Sequence, residues 1–215
     1  GMTTREKMEY RPAGFWKTND VRLVLGERAD RIDPVSRKVW CGRREYPYDR
    51  LLIATGSSPV VPPTKGYEKV KNKFTFNKLD DALALEKAVN AKTKVLIVGA
   101  GLTGLKAAEG LHSRVGSITV VDMADRVLPA VMDADGSAIV KKYLEDKGMT
   151  FFLSDCVTEY DDGLAMLRSG AKVAFDVLVT AVGVRPNTAL AESIGCVCER
   201  MTESGRPFRG IVTGD

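Results

Sequence analysis

The sequence is poor in histidine and cysteine, which limits the metal and redox chemistry that it can support. His112 is the only histidine, so a multi-histidine metal site is excluded, and the four cysteines include no Cys-x-x-Cys pair. Thiols in this arrangement (positions 41, 156, 196 and 198) favour packing over redox or metal chemistry. We therefore predict no metal site, and we expect His112 to cap a helix or face solvent.

Long apolar runs and runs of like charge are also absent. The apolar stretches reach only strand length, far below the ~20 residues that a helix needs to cross a bilayer. The 32 basic and 28 acidic residues are spread along the 215-residue chain, which argues against a nucleic-acid or acidic-membrane partner. The polar N-terminus does not resemble a signal peptide. Together with 44% hydrophobic residues, these absences predict a globular cytoplasmic protein.

The sequence does contain a glycine-rich stretch in a strand–turn–helix context. An apolar run at 94–98 precedes Gly-Ala-Gly-Leu-Thr-Gly at 99–104, a helical pattern continues to Leu111, and a second β-branched run ends at Asp122. A Gly-x-Gly-x-x-Gly in this context, with an acid at the end of the next strand, is typical of a dinucleotide-binding unit.

The mechanism of such a unit explains each residue type. Gly99 permits the tight turn, Gly101 lets the backbone approach a pyrophosphate, and Gly104 lets the helix pack closely on the sheet. The pyrophosphate would accept hydrogen bonds from amides at the helix N-terminus. Asp122 would accept both hydroxyls of an adenosine ribose, and it would repel a 2′-phosphate by about 4 kcal/mol at ~4 Å and a dielectric of ~20. We therefore predict NAD(H) over NADP(H), a preference that Arg126 moderates because a nearby arginine can accommodate a 2′-phosphate.

Hydrophobic periodicity predicts the remaining elements. Short alternating runs from residue 21 to 40 predict a three-stranded antiparallel meander, and residues 46–53 predict a buried strand. Residues 62–78 are predicted to be a linker. Further elements are expected as follows: helices at 79–89 and 133–147, a parallel strand at 149–153, a hairpin turning at 161–163, and a buried strand at 175–182.

Five motifs, in this order, resemble those of the glutathione-reductase-like family of pyridine nucleotide-dependent FAD oxidoreductases. They are Ala-Thr-Gly at 54–56, the glycine-rich stretch at 99–104, Val-Asp-Met-Ala-Asp-Arg-Val-Leu-Pro at 121–129, Ala-Val-Gly-Val-Arg-Pro-Asn at 181–187 and Thr-Gly-Asp at 213–215. Within this family of flavoproteins, the chain is most similar to the branch of NADH oxidases, NADH:rubredoxin reductases and the flavin part of nitrite reductases.

The resemblance implies an α/β fold and a domain arrangement. A Rossmann-like NAD-binding domain with a parallel sheet and an antiparallel β-meander would be inserted in a partial FAD-binding domain. Residues 1–78 would belong to the FAD domain, 79–200 would bind NAD(H), and 201–215 would return to the FAD domain. In the intact protein, NADH would pass a hydride to the flavin, which would reduce a redox protein or a small-molecule electron acceptor.

The resemblance also implies individual roles. The NAD(H) site would consist of Gly99, Gly101, Leu102, Thr103, Gly104 and Asp122, with Gly183 near the nicotinamide. The FAD site would consist of Ala29, Ala54, Thr55, Gly56, Gly214 and Asp215.

The chain departs from the family pattern at both ends. It has no Gly-x-Gly-x-x-Gly before Thr18, where the family binds the FAD pyrophosphate, and it ends where the family's C-terminal interface domain would follow. We therefore expect a truncated piece that binds FAD weakly or not at all. Apolar faces exposed within residues 1–78 predict dimerisation or partial disorder.

Lys106 is a third departure, because many relatives have glutamate at this position. A cation in the first turn of a helix opposes the helix dipole. We hypothesise that Lys106 supports an anionic reduced flavin or an acidic acceptor in the intact enzyme. A solvated surface lysine is the alternative.

Two other functions stay open at this point. The isolated chain could be a dinucleotide-binding module without flavin or turnover. It could also be a fragment of a disulfide or coenzyme A disulfide reductase, which requires a positioned thiol of low pKa. None of the four cysteines stands evidently beside a helix N-terminus or a basic pair.

Overall fold

The computed structural model describes residues 6–201 and 207–211, and the chain divides into two compact units. Unit 1 consists of Gly1–Gly56 and Pro186–Asp215, and unit 2 consists of Ser57–Arg185. Unit 2 contains most of the proposed NAD(H)-binding domain at 79–200, but it both begins and ends earlier in the chain.

The described residues form fifteen strands, five α-helices and two short 3-10 helices. The strands are β1 Arg31–Asp33, β2 Lys38–Cys41, β3 Arg44–Pro47, β4 Ser57–Pro59, β5 Lys73–Thr75, β6 Lys94–Val98, β7 Ser117–Val121, β8 Met149–Phe152, β9 Val157–Asp161, β10 Leu164–Leu167, β11 Lys172–Ala174, β12 Val177–Thr180, β13 Val184–Pro186, β14 Glu199–Met201 and β15 Pro207–Arg209. The α-helices are α1 Phe15–Thr18, α2 Leu79–Ala88, α3 Leu102–Leu111, α4 Ala134–Asp146 and α5 Ala189–Glu192.

Unit 2 is built around a five-stranded parallel sheet with the strand order β5-β12-β6-β7-β8. Val95 of β6 lies between Ile118 of β7 and Val177 of β12 in the register of the sheet. All four residues of β12 and the three central residues of β6 are buried. Continuous burial is expected of parallel strands that are covered on both faces. The predicted α/β class is therefore confirmed.

The two faces of this sheet are covered by different layers. Ile97 of β6 packs in a core with residues of α2 and α3, whereas the adjacent Leu96 packs in a second core with β9, β10 and β11. Successive side chains of a strand point to opposite faces, so a single apolar run serves both cores. This packing fixes where β6, β7 and β12 end, which positions the loops that follow them.

Most of the predicted elements of unit 2 are confirmed. Helices α2 and α4 match the predicted ranges, and Asp133 caps α4 by accepting a hydrogen bond from the Gly136 amide. The predicted hairpin is present as β9 and β10, and β11 adds a third antiparallel strand. The prediction that 62–78 is only a linker is wrong, because β5 pairs in parallel with β12 at the edge of the sheet. A strand of three residues is too short to show a clear periodic pattern.

Unit 1 contains the predicted antiparallel meander, with different strands. Its order is β1-β2-β3, and Ile32 lies opposite Val39. Residues 21–25, which had a strand-like pattern, form no strand. The predicted buried strand at 46–53 is also wrong, since β3 ends at Pro47 and Leu52 is 88% exposed. Within the described residues no neighbouring strand pairs with 48–56, and an isolated strand cannot satisfy its backbone groups.

One buried hydroxyl in unit 2 yields a stability prediction. Thr180, the last residue of β12, is 2% exposed, and its Oγ1 has no hydrogen-bond partner. A buried polar group without a partner is destabilising, so Thr180→Val is expected to raise the free energy of unfolding by about 1 kcal/mol, measured by urea denaturation. Val179→Thr is the matched control and is expected to destabilise the protein, because it places a hydroxyl in the core that Ile97 shares with α2 and α3. A loss of stability in Thr180→Val would contradict the prediction.

Candidate functional site

A groove of about 250 Å³ opens in unit 2 at the carboxyl ends of β6, β7 and β12. The chain leaves β6 toward β7 on one side, and β12 lies on the other side, so this point is the topological switch of the sheet. Ligands of doubly wound α/β proteins bind at this point. We call it the Gly101 groove; its lining consists of Gly101, Leu102, Thr103, Asp122, Leu128, Pro129, Ala130, Val131, Ala181, Val182 and Gly183.

Two glycines of the 99–104 stretch are required by the fold itself. Gly99 has a φ of +116°, and a Cβ there would lie 2.3 Å from the carbonyl oxygen of Ala181. A Cβ on Gly104 would lie 2.0 Å from the carbonyl oxygen of Gly99. These glycines allow the tight turn and the close approach of α3, as predicted, and neither lines the groove.

Gly101 is different, because neither its backbone conformation nor its neighbours among the described residues require a glycine there. Its φ of −77° is accessible to any residue. A Cβ on Gly101 would meet no heavy atom within 4 Å, and Gly101 lines the groove. A missing side chain at this position therefore makes room for a molecule that approaches the backbone. The residues present thus fit the pyrophosphate of a dinucleotide.

The N-terminus of α3 supplies hydrogen-bond donors beside Gly101. The amide of Leu105 donates to the carbonyl of Gly101 at 3.0 Å and begins the helical ladder. The amides of Leu102 and Thr103 precede this ladder and have no partner four residues back. Both residues line the groove, and the helix dipole favours an anion at this end.

Asp122 lies at the end of β7, where the sequence predicted it, and lines the groove. Its Oδ2 accepts a hydrogen bond from the Ala100 amide at 2.5 Å. Its Oδ1 accepts one from the Ala124 amide at 2.7 Å. The carboxylate is therefore held in place by the backbone on both sides. Its contact with a ribose stays a prediction.

The loop after β12 forms another wall of the groove. Ala181, Val182 and Gly183 line it, and Gly183 has a φ of +115°, which favours glycine. The carbonyl of Gly183 accepts a hydrogen bond from the Val60 amide at 3.0 Å, which fixes the loop. Gly183 thus belongs to the same groove as Gly101, and its proximity to a nicotinamide stays a prediction.

The sequence reasoning did not assign a role to the wall formed by residues 128–131. Leu128 has a φ of +50°, which is unusual for a bulky residue, and it is 8% exposed. Its amide donates to the carbonyl of Ala100 at 3.0 Å. The motif at 121–129 includes this residue, but no pattern in the sequence indicates a left-handed leucine.

Lys106 is the fifth residue of α3, so it lies in the second turn and not in the first turn as predicted, and it does not line the Gly101 groove. Its Nζ lies 2.7 Å from Oε2 of Glu109, and its side chain is 63% exposed. The hydrogen bond from Lys106 lowers the pKa of the Glu109 carboxyl below its usual value. Both residues line a second groove, of about 500 Å³, between α3 and α4. The exposure of Lys106 and its ion pair are those of a surface lysine. A role of Lys106 toward a flavin stays a prediction.

The residues assigned to FAD lie in unit 1 as far as they are described. Ala29, Ala54, Thr55 and Gly56 are exposed and line neither of the two grooves. The Thr55 hydroxyl donates to the carbonyl of Asn187 at 2.5 Å, and the Asn187 amide side chain donates to the carbonyl of Thr55 at 2.9 Å. Gly214 and Asp215 lie outside the described residues. The FAD roles therefore stay predictions.

All four cysteines lie in the described part of the chain. All four cysteines are free, and burial raises the pKa of the Cys198 thiol. Residues 6–201 and 207–211 contain no cluster of three or more His, Cys, Asp or Glu that could hold a metal ion. His112 is the C-cap residue of α3 and is exposed, as expected. No described helix is long and apolar enough to span a membrane.

The parallel sheet, the glycine-rich turn and the open N-terminus of α3 define a Rossmann-type dinucleotide-binding fold. Comparison with known proteins identifies the family. The family model "Pyridine nucleotide-disulphide oxidoreductase" matches residues 5–204. The chain therefore belongs to this family of oxidoreductases.

Individual relatives agree with this assignment. The chain is 32% identical over 197 residues to the NADH oxidase of Methanocaldococcus jannaschii, covering 87% of this chain and 44% of the relative. It is 34% identical over 183 residues to the nitric oxide reductase FlRd-NAD(+) reductase of Pectobacterium atrosepticum, covering 83% and 48%. The chain thus spans about half the length of these curated relatives.

A solved structure supports the fold. The covalent putidaredoxin reductase–putidaredoxin complex contains a chain that matches with a TM-score of 0.84 and 23% sequence identity. The match covers 91% of this chain and 49% of that one. At this level of identity the likeness concerns the fold alone.

Proposed function

We propose that this chain is the NAD(H)-binding part of an FAD-dependent oxidoreductase that passes a hydride from NADH to flavin and on to an acceptor. The observation that carries the proposal is the open space at Gly101, where a Cβ would meet nothing within 4 Å. A Rossmann turn that keeps its backbone bare toward a groove is suited to a pyrophosphate.

The residues of the Gly101 groove would divide the nucleotide between them. The amides of Leu102 and Thr103 would donate hydrogen bonds to the pyrophosphate, and Asp122 would accept hydrogen bonds from the adenosine ribose. Gly183 would leave room for the nicotinamide beside the apolar wall of Leu128. When bound, NADH supplies the hydride, and the protein supplies position and electrostatics.

The acceptor in the intact protein is proposed to be a redox protein or a small molecule. Support comes from the relative named as a nitric oxide reductase FlRd-NAD(+) reductase, to which the chain is 34% identical. We further propose a cytoplasmic location, because free cysteines are usual in a reducing compartment. A homodimer is a further proposal, based on the apolar side chains that unit 1 exposes, such as Leu25 and Leu52.

A second candidate is a nucleotide-binding module that holds no flavin. It is favoured by one observation, that every residue lining the Gly101 groove lies in unit 2, so the groove is formed without any residue of unit 1. The absorption spectrum of the purified chain separates the two candidates. A flavin spectrum supports flavin retention, whereas a colourless chain that quenches NADH fluorescence supports the module.

Nucleotide preference tests the proposed site directly. We expect NADH to bind at least roughly tenfold more tightly than NADPH, because a 2′-phosphate would face the Asp122 carboxylate. Fluorescence titration of the chain with each nucleotide, with flavin content determined in parallel, measures the ratio. Equal affinity for the two nucleotides would contradict the role of Asp122, and binding of neither would contradict the proposed function.

A further inference from the structure

We infer that Asp122, beyond its proposed contact with the ribose, is a positioning residue that holds the glycine-rich turn in shape before a nucleotide arrives; this role rests on the proposed NAD(H) site. The evidence is the hydrogen bond of 2.5 Å from the Ala100 amide to Oδ2 of Asp122. Ala100 lies between Gly99, which forms the tight turn, and Gly101, whose backbone lines the groove. Its peptide groups therefore set the direction of the Gly101 backbone.

Both peptide groups of Ala100 are held by the segment that follows β7. The amide donates to Asp122, and the carbonyl accepts from the Leu128 amide at 3.0 Å. Ala100 is 0% exposed, so water cannot replace either partner. The turn is thus held by two hydrogen bonds, both made with a single connecting segment, residues 122–128.

The left-handed backbone conformation of Leu128 is consistent with this pair of hydrogen bonds. A positive φ in a bulky residue is strained and persists only where the surrounding structure determines it. Here the left-handed backbone accompanies a buried side chain and the hydrogen bond to Ala100. A glycine-rich turn that is already ordered binds its ligand with a smaller loss of conformational entropy.

The two roles of Asp122 are compatible in one side chain. An ionised carboxylate has about four lone-pair positions, and the amides of Ala100 and Ala124 use one on each oxygen. The remaining positions are available to the two ribose hydroxyls. An asparagine cannot do the same, because its NH₂ group would face one of the two backbone donors.

Amide hydrogen exchange of the nucleotide-free chain, followed by NMR, tests the positioning role without any turnover. In Asp122→Asn the Ala100 amide is expected to exchange at least roughly tenfold faster than in the unchanged protein, because it loses a charged acceptor. Asp146→Asn is the matched control, since it makes the same charge change at an exposed residue of α4 outside residues 122–128, where its ion pair is with Lys142. Its Ala100 exchange rate is expected to stay unchanged.

A second variant and a binding measurement complete the test. Asp122→Glu keeps the charge but displaces the carboxylate by one methylene, so Ala100 exchange is again expected to accelerate, even if the asparagine variant does not fold. Unchanged Ala100 exchange in a folded Asp122 variant would overturn the positioning role while leaving NADH binding by the original chain intact. Faster exchange in a chain that binds no NADH would instead refute the proposed function alone.

Discussion

Gly104→Ala is expected to lower the free energy of unfolding by more than about 4 kcal/mol, the range seen when a substitution cannot be accommodated. A Cβ at this position would lie 2.0 Å from the carbonyl oxygen of Gly99, which is backbone and cannot rotate away. To avoid this contact, α3 would have to move away from the sheet. That movement would disturb the core between the helices and the sheet at Leu105 and Ala108. Urea denaturation followed by circular dichroism measures the change.

Gly110→Ala is the matched control in the same helix. A Cβ on Gly110 would meet no heavy atom within 4 Å, and the residue is exposed. Alanine is a better helix former than glycine, so this variant is expected to gain about 1 kcal/mol. If Gly104→Ala unfolds at the same urea concentration as the unchanged protein, α3 does not pack on the turn as described.

Gly101→Val is expected to weaken NADH binding by roughly 100-fold, about 2.7 kcal/mol, while lowering the free energy of unfolding by only about 1 kcal/mol, because valine is a poorer N-cap of α3 than glycine. The extended backbone of Gly101, with φ −77° and ψ −177°, is suitable for valine, and the space beyond its Cα is open. The new side chain would occupy the position that we assign to the pyrophosphate. NADH fluorescence titration gives the affinity, and urea denaturation gives the stability.

The two glycine substitutions have opposite signatures. Gly104→Ala is expected to affect mainly folding, whereas Gly101→Val is expected to affect mainly nucleotide binding. Gly110→Ala is expected to bind NADH with unchanged affinity, since residue 110 does not line the Gly101 groove. Unimpaired NADH binding by Gly101→Val would remove the main support for the proposed function.

Much of the candidate site could be predicted because its signal is local. The strand β6, the turn and α3 follow each other within residues 94–111, and their spacing alone indicates a dinucleotide site. Of the seven residues assigned to NAD(H), five line the groove, and the other two, Gly99 and Gly104, shape the turn. Gly183, distant in the sequence, came from the family resemblance rather than from spacing.

The predictions of secondary structure are wrong where burial depends on pairing with another strand. Residues 46–53 have the apolar pattern of a buried strand, yet Leu52 is 88% exposed, because within the described residues no strand pairs with this segment. Conversely, β5 has little pattern of its own, and its strand character comes from pairing with β12. An apolar pattern reports which face a residue prefers and does not report whether a neighbour is present.

The sequence by itself determined the α/β class, the glycine-rich unit and the acid at the end of β7, because helix, turn and strand signals are encoded by neighbouring residues. Only the tertiary structure decided that Gly101 faces open space and that Asp122 and Leu128 hold Ala100 from both sides. These features depend on backbone groups brought together by folding. Hydrogen bonds and steric contacts between residues more than twenty positions apart leave no periodic pattern in the chain.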